Sequence, residues 1–389
     1  MPLNKQSAFV GAVFVSVFAG LLAALPARAQ NRDKDDDKRI PKRIVADYTS
    51  GAKFLNPSYD VAQIPFHKLT HILHAGIPWN SDGSLYIENG FVEPDLIRKA
   101  HAHGVKVMLL TGGDFAAIEA SPQVFDTVLA NLRTFITEND YDGLDIDWEF
   151  PSDATDRAFF VTLMRRLRAT FPSPRYTLSA DLAPWNGDFY NTNQLKKSVD
   201  FFNLMVYDCA GPWTSMGHLN SPIFWDNRDP HPEECEPGAS VQQAAELYLK
   251  TVPAKQLNMG TPFYGYDYTN VTGLFGACPN APSTPDGFCD DTVLTMNYGP
   301  NIKQRINQQG WERHYDSASL VPHLVRKDGS PGFITYDDAF STYARGLYAD
   351  WDLGLGGTFM WSLDADYDGH SQDLLDAMYK ATIEGRHKD

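Results

Sequence analysis

Positive charge is scarce in this chain of 389 residues: Lys and Arg number 33 against 49 Asp and Glu. The formal charge is −16 and the isoelectric point lies near 5.0. A surface of that sign repels phosphate backbones and anionic lipid, so nucleic-acid and membrane partners are excluded. The glycine patterns of nucleotide sites, G-x-G-x-x-G and the P-loop, are missing, so no cofactor is expected. No histidine spacing suits a metal: His101 and His103 lie two apart on a helical pattern and cannot face one ion. The calcium-loop pattern is absent as well. Short internal repeats are also lacking.

Long apolar runs are confined to Ala8–Leu25, which Gly11, Ser16 and Gly20 interrupt before Pro26 ends it. With Lys5 ahead and Ala27-Arg28-Ala29 behind, this is a secretory signal cleaved after Ala29 rather than a membrane anchor. Residues 1–29 are therefore expected to be a signal peptide and residues 30–42 a charge-dense, disordered leader. The dibasic pairs Lys38-Arg39 and Lys42-Arg43 offer processing sites. The mature chain is expected to be secreted and monomeric. Cysteine is scarce, at four, and in a secreted chain four read as two disulfides. Cys278 and Cys289 bracket the turn-rich PNAPSTPDGF and form the local pair, leaving Cys209 with Cys235. Asn270-Val271-Thr272 is the one glycosylation sequon.

Eight short apolar runs are present: RIVADY (43–48), THILHAGI (70–77), KVMLLTGG (106–113), DGLDIDWE (142–149), YTLSADL (176–182), FFNLMVYD (201–208), LNMGTPFY (257–264) and GTFMWSL (357–363). Helical patterns separate most of them. Over Thr155–Phe171 the residues Phe160, Leu163, Leu167 and Phe171 share one helical face, and Ser121–Thr137 opens on Ser-Pro, a cap and first-turn pair. Strands alternating with helices make a parallel sheet, and eight of them close an α/β fold of the (β/α)8 TIM-barrel type. The rhythm breaks before the last strand, where residues 269–335 read as a small inserted α+β domain. The barrel is then 43–268 and 336–385, 276 residues, an ordinary size.

The fourth run carries the chemistry. Within YDGLDIDWEF (Tyr141–Phe150), Asp145, Asp147 and Glu149 fall on one face of a strand, with Leu144, Ile146 and Trp148 on the other. Neighbours on that face are about 6.6 Å apart. Like charges that close raise one another's pKa, so at least one acid should keep its proton at neutral pH. An acidic surface strand would mix its signs, and a hard-cation site would want a loop. A strand-end acid/base site remains, because barrels of this kind do their chemistry at the carboxyl ends of the strands. Glu149 ends the fourth strand and Asp147 lies one layer deeper.

DGLDIDWE resembles the D-G-x-D-x-D-x-E of glycoside hydrolase family 18, the chitinases. LMVYD (Leu204–Asp208) resembles the family's M-x-Y-D, and GGTFMWSLDAD (Gly356–Asp366) its G-G-x-M-x-W-x-x-D. TPFYG (Thr261–Gly265) and ITYDDAFS (Ile334–Ser341) resemble the segments flanking its inserted domain. The resemblance runs in order over about residues 43–380 and implies a secreted chitinase acting on chitin or chitooligosaccharides by substrate-assisted hydrolysis, an exception to the two-carboxylate rule. Under it Glu149 is the proton donor, Asp147 orients the attacking acetamido group, Asp145 shares charge and proton with Asp147, and Tyr207 holds the acetamido oxygen. Trp361 floors the reacting sugar. Met205, Asp208, Tyr48, Gly113 and Trp213 complete the implied substrate-binding set, and Trp311 and Tyr315 of the inserted domain are available to wall the groove.

The chain departs from the family at five positions. Leu110 and Asp114 stand where S-x-G-G-W has Ser and Trp, Asp47 where Tyr is frequent, Gly76 where an aromatic is usual and Tyr266 where Arg is frequent. The first removes a support for the lower Asp. The missing rings imply a weaker grip on crystalline chitin than on soluble oligomers, unless Phe115, Trp185 or Trp213 replace them. Two rival functions share the motif or the fold. An endo-β-N-acetylglucosaminidase acting on N-glycans is disfavoured by the insertion and the M-x-Y-D tyrosine, and a chitin-binding lectin by the presence of Glu149.

Overall fold

Alternate residues along the apolar runs fall into two separate cores, one inside a barrel and one around it. In the computed structural model, which describes residues 42–383 apart from 186, 236–239 and 282–286, each of the eight runs is a strand. The signal peptide, nearly all of the leader and the pair Lys38-Arg39 lie outside the described residues. The barrel strands are β1 (Arg43–Thr49), β2 (His71–Ala75), β3 (Lys106–Thr111), β4 (Gly143–Ile146), β5 (Thr177–Leu182), β6 (Phe201–Leu204), β7 (Leu257–Pro262) and β13 (Gly357–Trp361). They close in parallel in the order β1-β13-β7-β6-β5-β4-β3-β2. Val45, Leu73, Met108, Leu110, Phe201 and Phe359 belong to the inner core, whereas Ile44, Ala46, Ile72, Val107, Leu144 and Ile146 belong to the outer one under the helices.

The helices beside β4 begin on capping side chains. Ser121 accepts from the Val124 N–H ahead of the helix Pro122–Glu138, and Asp153 accepts from Thr155 and Asp156 ahead of Ala154–Thr170. Each cap satisfies amide donors that the first turn leaves unpaired. The Asp153 cap sets the chain turning into a helix four residues after Glu149, so the segment carrying the uppermost acid is short.

A second sheet follows β7. It is antiparallel, in the order β10-β11-β12-β8-β9, and built from β8 (Tyr264–Tyr268), β9 (Val293–Asn297), β10 (Trp311–Asp316), β11 (Val321–Arg326) and β12 (Phe333–Thr335). It begins inside residues that the sequence assigns to the barrel, because Tyr264–Tyr268 pairs with both β9 and β12. Its described helical segments are single turns at Asp290–Thr292, Tyr298–Ile302 and Lys303–Arg305. The disulfides are Cys209–Cys235 and Cys278–Cys289, the expected pairing. Among the described residues no helix is long and apolar enough to cross a membrane.

Candidate active site

Gly143 opens β4 at φ 156°, where a Cβ would lie 1.8 Å from Thr177 O. Only glycine permits that approach. Two residues on, Asp145 sits opposite Ser179 of β5, whose hydroxyl donates to Asp145 Oδ1. Asn203 of β6 donates to Asp181 Oδ1 at 2.9 Å and to Asp145 Oδ1 at 3.4 Å. Asn203 in turn accepts from Asn258 of β7 at 2.9 Å, and Asn258 accepts from Arg43 Nε of β1 at 2.9 Å. A hydrogen-bonded chain thus crosses the barrel beneath the acids.

Four aspartates share this interior: Asp47, Asp145, Asp147 and Asp181. Both carboxyl oxygens of Asp47, Asp145 Oδ2 and Asp147 Oδ1 are buried without a hydrogen-bond partner. Loss of solvation disfavours each charged form. Burial pushes Asp145 up to about 7, with Ser179 and Asp181 pulling the other way. Asp147 rises to about 8, through burial first and then the charges of Glu149 and Asp145. Asp47 and Asp181 are held well above the carboxylate range, again by burial first and then by the surrounding acids. Glu149 is raised by desolvation and by Asp208. The column therefore keeps protons at neutral pH, as its spacing predicts, and its uppermost member is open to solvent.

Beyond the column, Tyr207 is buried edge-on to Tyr264 at 6.0 Å, and Met205 shares its cluster. Asp208, at φ 60°, accepts hydrogen bonds from the hydroxyls of Tyr264 and Tyr266, the latter at 2.7 Å. Trp213 is exposed and meets the Tyr266 ring edge-on at 5.8 Å, which brings it to the Asp208 side. Trp361 ends β13 two residues beyond Phe359, which packs against Tyr207, and its indole is 37% exposed. A hollow of about 580 Å³ is lined by Gly113, Asp114, Phe115, Asp147, Trp148, Glu149 and Asp156. Gly113 has φ 148°, and a Cβ there would come within 2.4 Å of Trp79 O.

Tyr48 is not at this site. It is fully buried on the outer face of β1, stacked on His74 at 5.6 Å, with its hydroxyl on Glu93 Oε2 at 3.1 Å. The inward residue of that pair is Asp47. Trp311 is also taken: it is buried, with the guanidinium of Arg326 5.0 Å above its ring. Tyr315 packs edge-on against Phe340 at 5.4 Å. The second sheet instead contributes Tyr264 and Tyr266. Of the proposed replacement rings, Phe115 lies flat on Trp148 at 4.2 Å, and Trp185 meets Phe150 at 5.4 Å.

Ser179, Asp181, Asn203 and Asn258 were not singled out from sequence. A signal for Asp181 existed: an acid inside YTLSADL, a strand otherwise suited to full burial. Asn203 likewise shares inward parity with Met205 and Tyr207.

Stacked carboxyls rising to an accessible glutamate at the carboxyl end of a (β/α)8 barrel are an arrangement suited to acid/base chemistry on a bound substrate. Residues 45–366 match the model of glycosyl hydrolases family 18, and the chain belongs to that family. Chitinase 1 of Aphanocladium album is 24% identical over 380 residues, covering 83% of this chain and 81% of that protein. A probable endochitinase of Caenorhabditis elegans is 31% identical over 265 residues, covering 64% of this chain; the match spans 41% of the nematode protein's length. A Group IV chitinase of Ostrinia furnacalis, solved with allosamidin, superposes with a TM-score of 0.76 at 22% identity, over 88% of this chain and 99% of that one. At that identity the likeness speaks for the fold.

Proposed function

We propose that the chain is a secreted, monomeric chitinase that hydrolyses β-1,4-linked N-acetylglucosamine in chitin or chitooligosaccharides with retention of configuration. Glu149 protonates the glycosidic oxygen. The acetamido oxygen of the cleaved sugar attacks C1 and closes an oxazolinium ring. Asp147, partly relieved by Asp145, accepts from the acetamido N–H and balances the charge that develops. Tyr207 donates to the acetamido oxygen, Trp361 underlies the sugar, and Met205 and Asp208 line its pocket. Water then opens the ring, with Glu149 acting as base. The secretory pattern before residue 30 supports export, and residues 269–335 form an inserted domain beside the groove.

One observation carries this reading. Asp147, two residues before the accessible Glu149, has a buried oxygen with no partner. A carboxyl left so is suited to a donor that arrives with the substrate, as an acetamido N–H does. The chitinase identity of the fungal relative supports the substrate class. The test is a product profile on chitin oligomers and on a high-mannose glycoprotein, with the product anomer read by NMR. Shorter N-acetylglucosamine oligomers released as the β-anomer are expected. Cleavage of the glycoprotein alone, an inverted anomer, or reaction of fully deacetylated oligomers would overturn the proposal.

A further inference from the structure

Arg345, in the helix Ala339–Leu347, is fully buried, and the carboxyl it meets, that of Asp337, is nearly so. Asp337 belongs to ITYDDAFS, a stretch that the proposed mechanism does not use. Arg345 Nη2 donates to Asp337 Oδ1 at 3.0 Å and to Oδ2 at 3.2 Å, and Ser341 Oγ donates to Asp337 Oδ1 at 2.7 Å. Burying two charges is unfavourable, and a pair of apolar side chains often holds a core as well. A planar guanidinium offers what they lack, N–H groups in a fixed fork. Here the fork reaches two backbone carbonyls on separate segments: Ser221 O lies 2.8 Å from Nη2 and Gly260 O of β7 lies 3.4 Å from Nη1.

Both segments bear on Tyr207. Ser221 Oγ donates to Val206 O, one residue before the tyrosine. Asn220, beside Ser221, accepts from Asp208 N at 2.9 Å through its side chain and from Cys209 N at 3.0 Å through its carbonyl. Gly260 lies against the ring itself, since a Cβ there would be 3.3 Å from Tyr207 Cε1. Among the described residues no hydrogen bond holds the Tyr207 hydroxyl, so its direction depends on this backbone and on the packing of Tyr264 and Phe359.

We propose that Arg345, clamped by Asp337, is a positioning residue for Tyr207: it fixes the two segments that bear on the tyrosine, so that the hydroxyl meets the acetamido oxygen as that oxygen attacks. The inference rests on the proposed function, in which Tyr207 donates to that oxygen. Arg345 itself touches no substrate. The Tyr207 hydrogen bond strengthens only as charge develops in the transition state. Loss of its placement should therefore appear in kcat and leave KM nearly unchanged.

The experiment is a double-mutant cycle on hydrolysis of a soluble N-acetylglucosamine oligomer. Values of kcat and KM are measured separately, at a temperature where circular dichroism shows each variant fully folded. Arg345→Lys keeps a charge opposite Asp337 and loses the fork. Ser221→Ala keeps the buried pair and removes the bond to Val206 O, so it carries the test if Arg345→Lys does not fold. Each should lower kcat by about three- to thirty-fold, short of the roughly hundred-fold that a misplacement of about 1 Å can cost. In a Tyr207→Phe background there is no hydroxyl to place, and the same substitutions should lower kcat by less than about two-fold. A kcat that neither substitution changes, a loss carried by KM, or an equal loss with and without the hydroxyl would overturn the positioning role while leaving Tyr207 in the mechanism. A wild-type kcat for Tyr207→Phe alone would instead remove Tyr207 from the mechanism, and the role of Arg345 with it.

Discussion

Ser179 faces Asp145 across the β4–β5 register and donates its hydroxyl to Asp145 Oδ1. On the other side, β3 offers Asp145 only Leu110. The hydroxyl that the sequence leaves missing on β3 is thus supplied from β5. Ser179→Ala leaves Oδ1 with the 3.4 Å contact from Asn203 alone. A buried acceptor stripped of its donor costs about 1–3 kcal/mol, and denaturant unfolding should show a loss of that order.

Glu149→Gln removes the one accessible acid of the column without changing its shape. Turnover of a soluble oligomer should fall by roughly 10²–10⁴-fold, the range for general acid–base catalysis. Binding of the same oligomer, followed by tryptophan fluorescence, should persist. Turnover close to wild type would remove Glu149 from the mechanism.

Stability should depend on pH in a specific direction. Folding raises Asp145 from 3.8 to about 7 and Asp147 from 3.8 to about 8. Between those limits the folded chain holds protons that the unfolded chain has released. Stability from these groups is therefore greatest below about pH 4, declines as pH rises, and levels off above about pH 8. Calorimetry across that window should record a falling Tm, and Asp147→Asn, which needs no proton to be neutral, should flatten the decline.

The barrel was legible because its strands are short apolar runs punctuated by capped helices, and the acids because three carboxyls at alternate positions are rare in a buried strand. Facing was harder to read. A strand of a parallel barrel is apolar on both sides, so RIVADY does not reveal that Asp47 points inward and Tyr48 outward. Nor does any local pattern connect Arg43, Asn258, Asn203 and Asp181. They stand on four strands, and only closure of the barrel brings them together. The inserted sheet was legible as turn-rich composition, but its first strand, Tyr264–Tyr268, follows β7 after a single residue and reads as its continuation.

Tyr266, at a position where the resemblance implies an arginine, donates its hydroxyl to Asp208. Tyr266→Phe removes that bond while leaving the Tyr264 hydroxyl in place. An ordinary hydrogen bond is worth about 0.5–1.5 kcal/mol, so kcat/KM on a soluble oligomer should fall by about two- to ten-fold. An unchanged value would mean that Tyr264 alone fixes Asp208.

Phe115 is half-buried against Trp148, so it serves as a wall rather than as a free platform. The ratio of activity on soluble hexamer to that on crystalline chitin should therefore be high, and Asp114→Trp should lower it, because a ring at the rim grips a chain through apolar contact. A wild type already fast on crystalline chitin would remove the argument.

The hydrogen-bonded chain from Arg43 through Asn258 and Asn203 to Asp145 and Asp181 joins the first strand of the barrel to its seventh. During synthesis the DIDWE stretch emerges long before Asn258 does. Until that late residue docks, Asn203 lacks its anchor and the acids lack a settled interior. Possession of the motif is then no guarantee of its chemistry: a chain cut short after β6 carries every acid of the column and none of the closure that holds their protons in place.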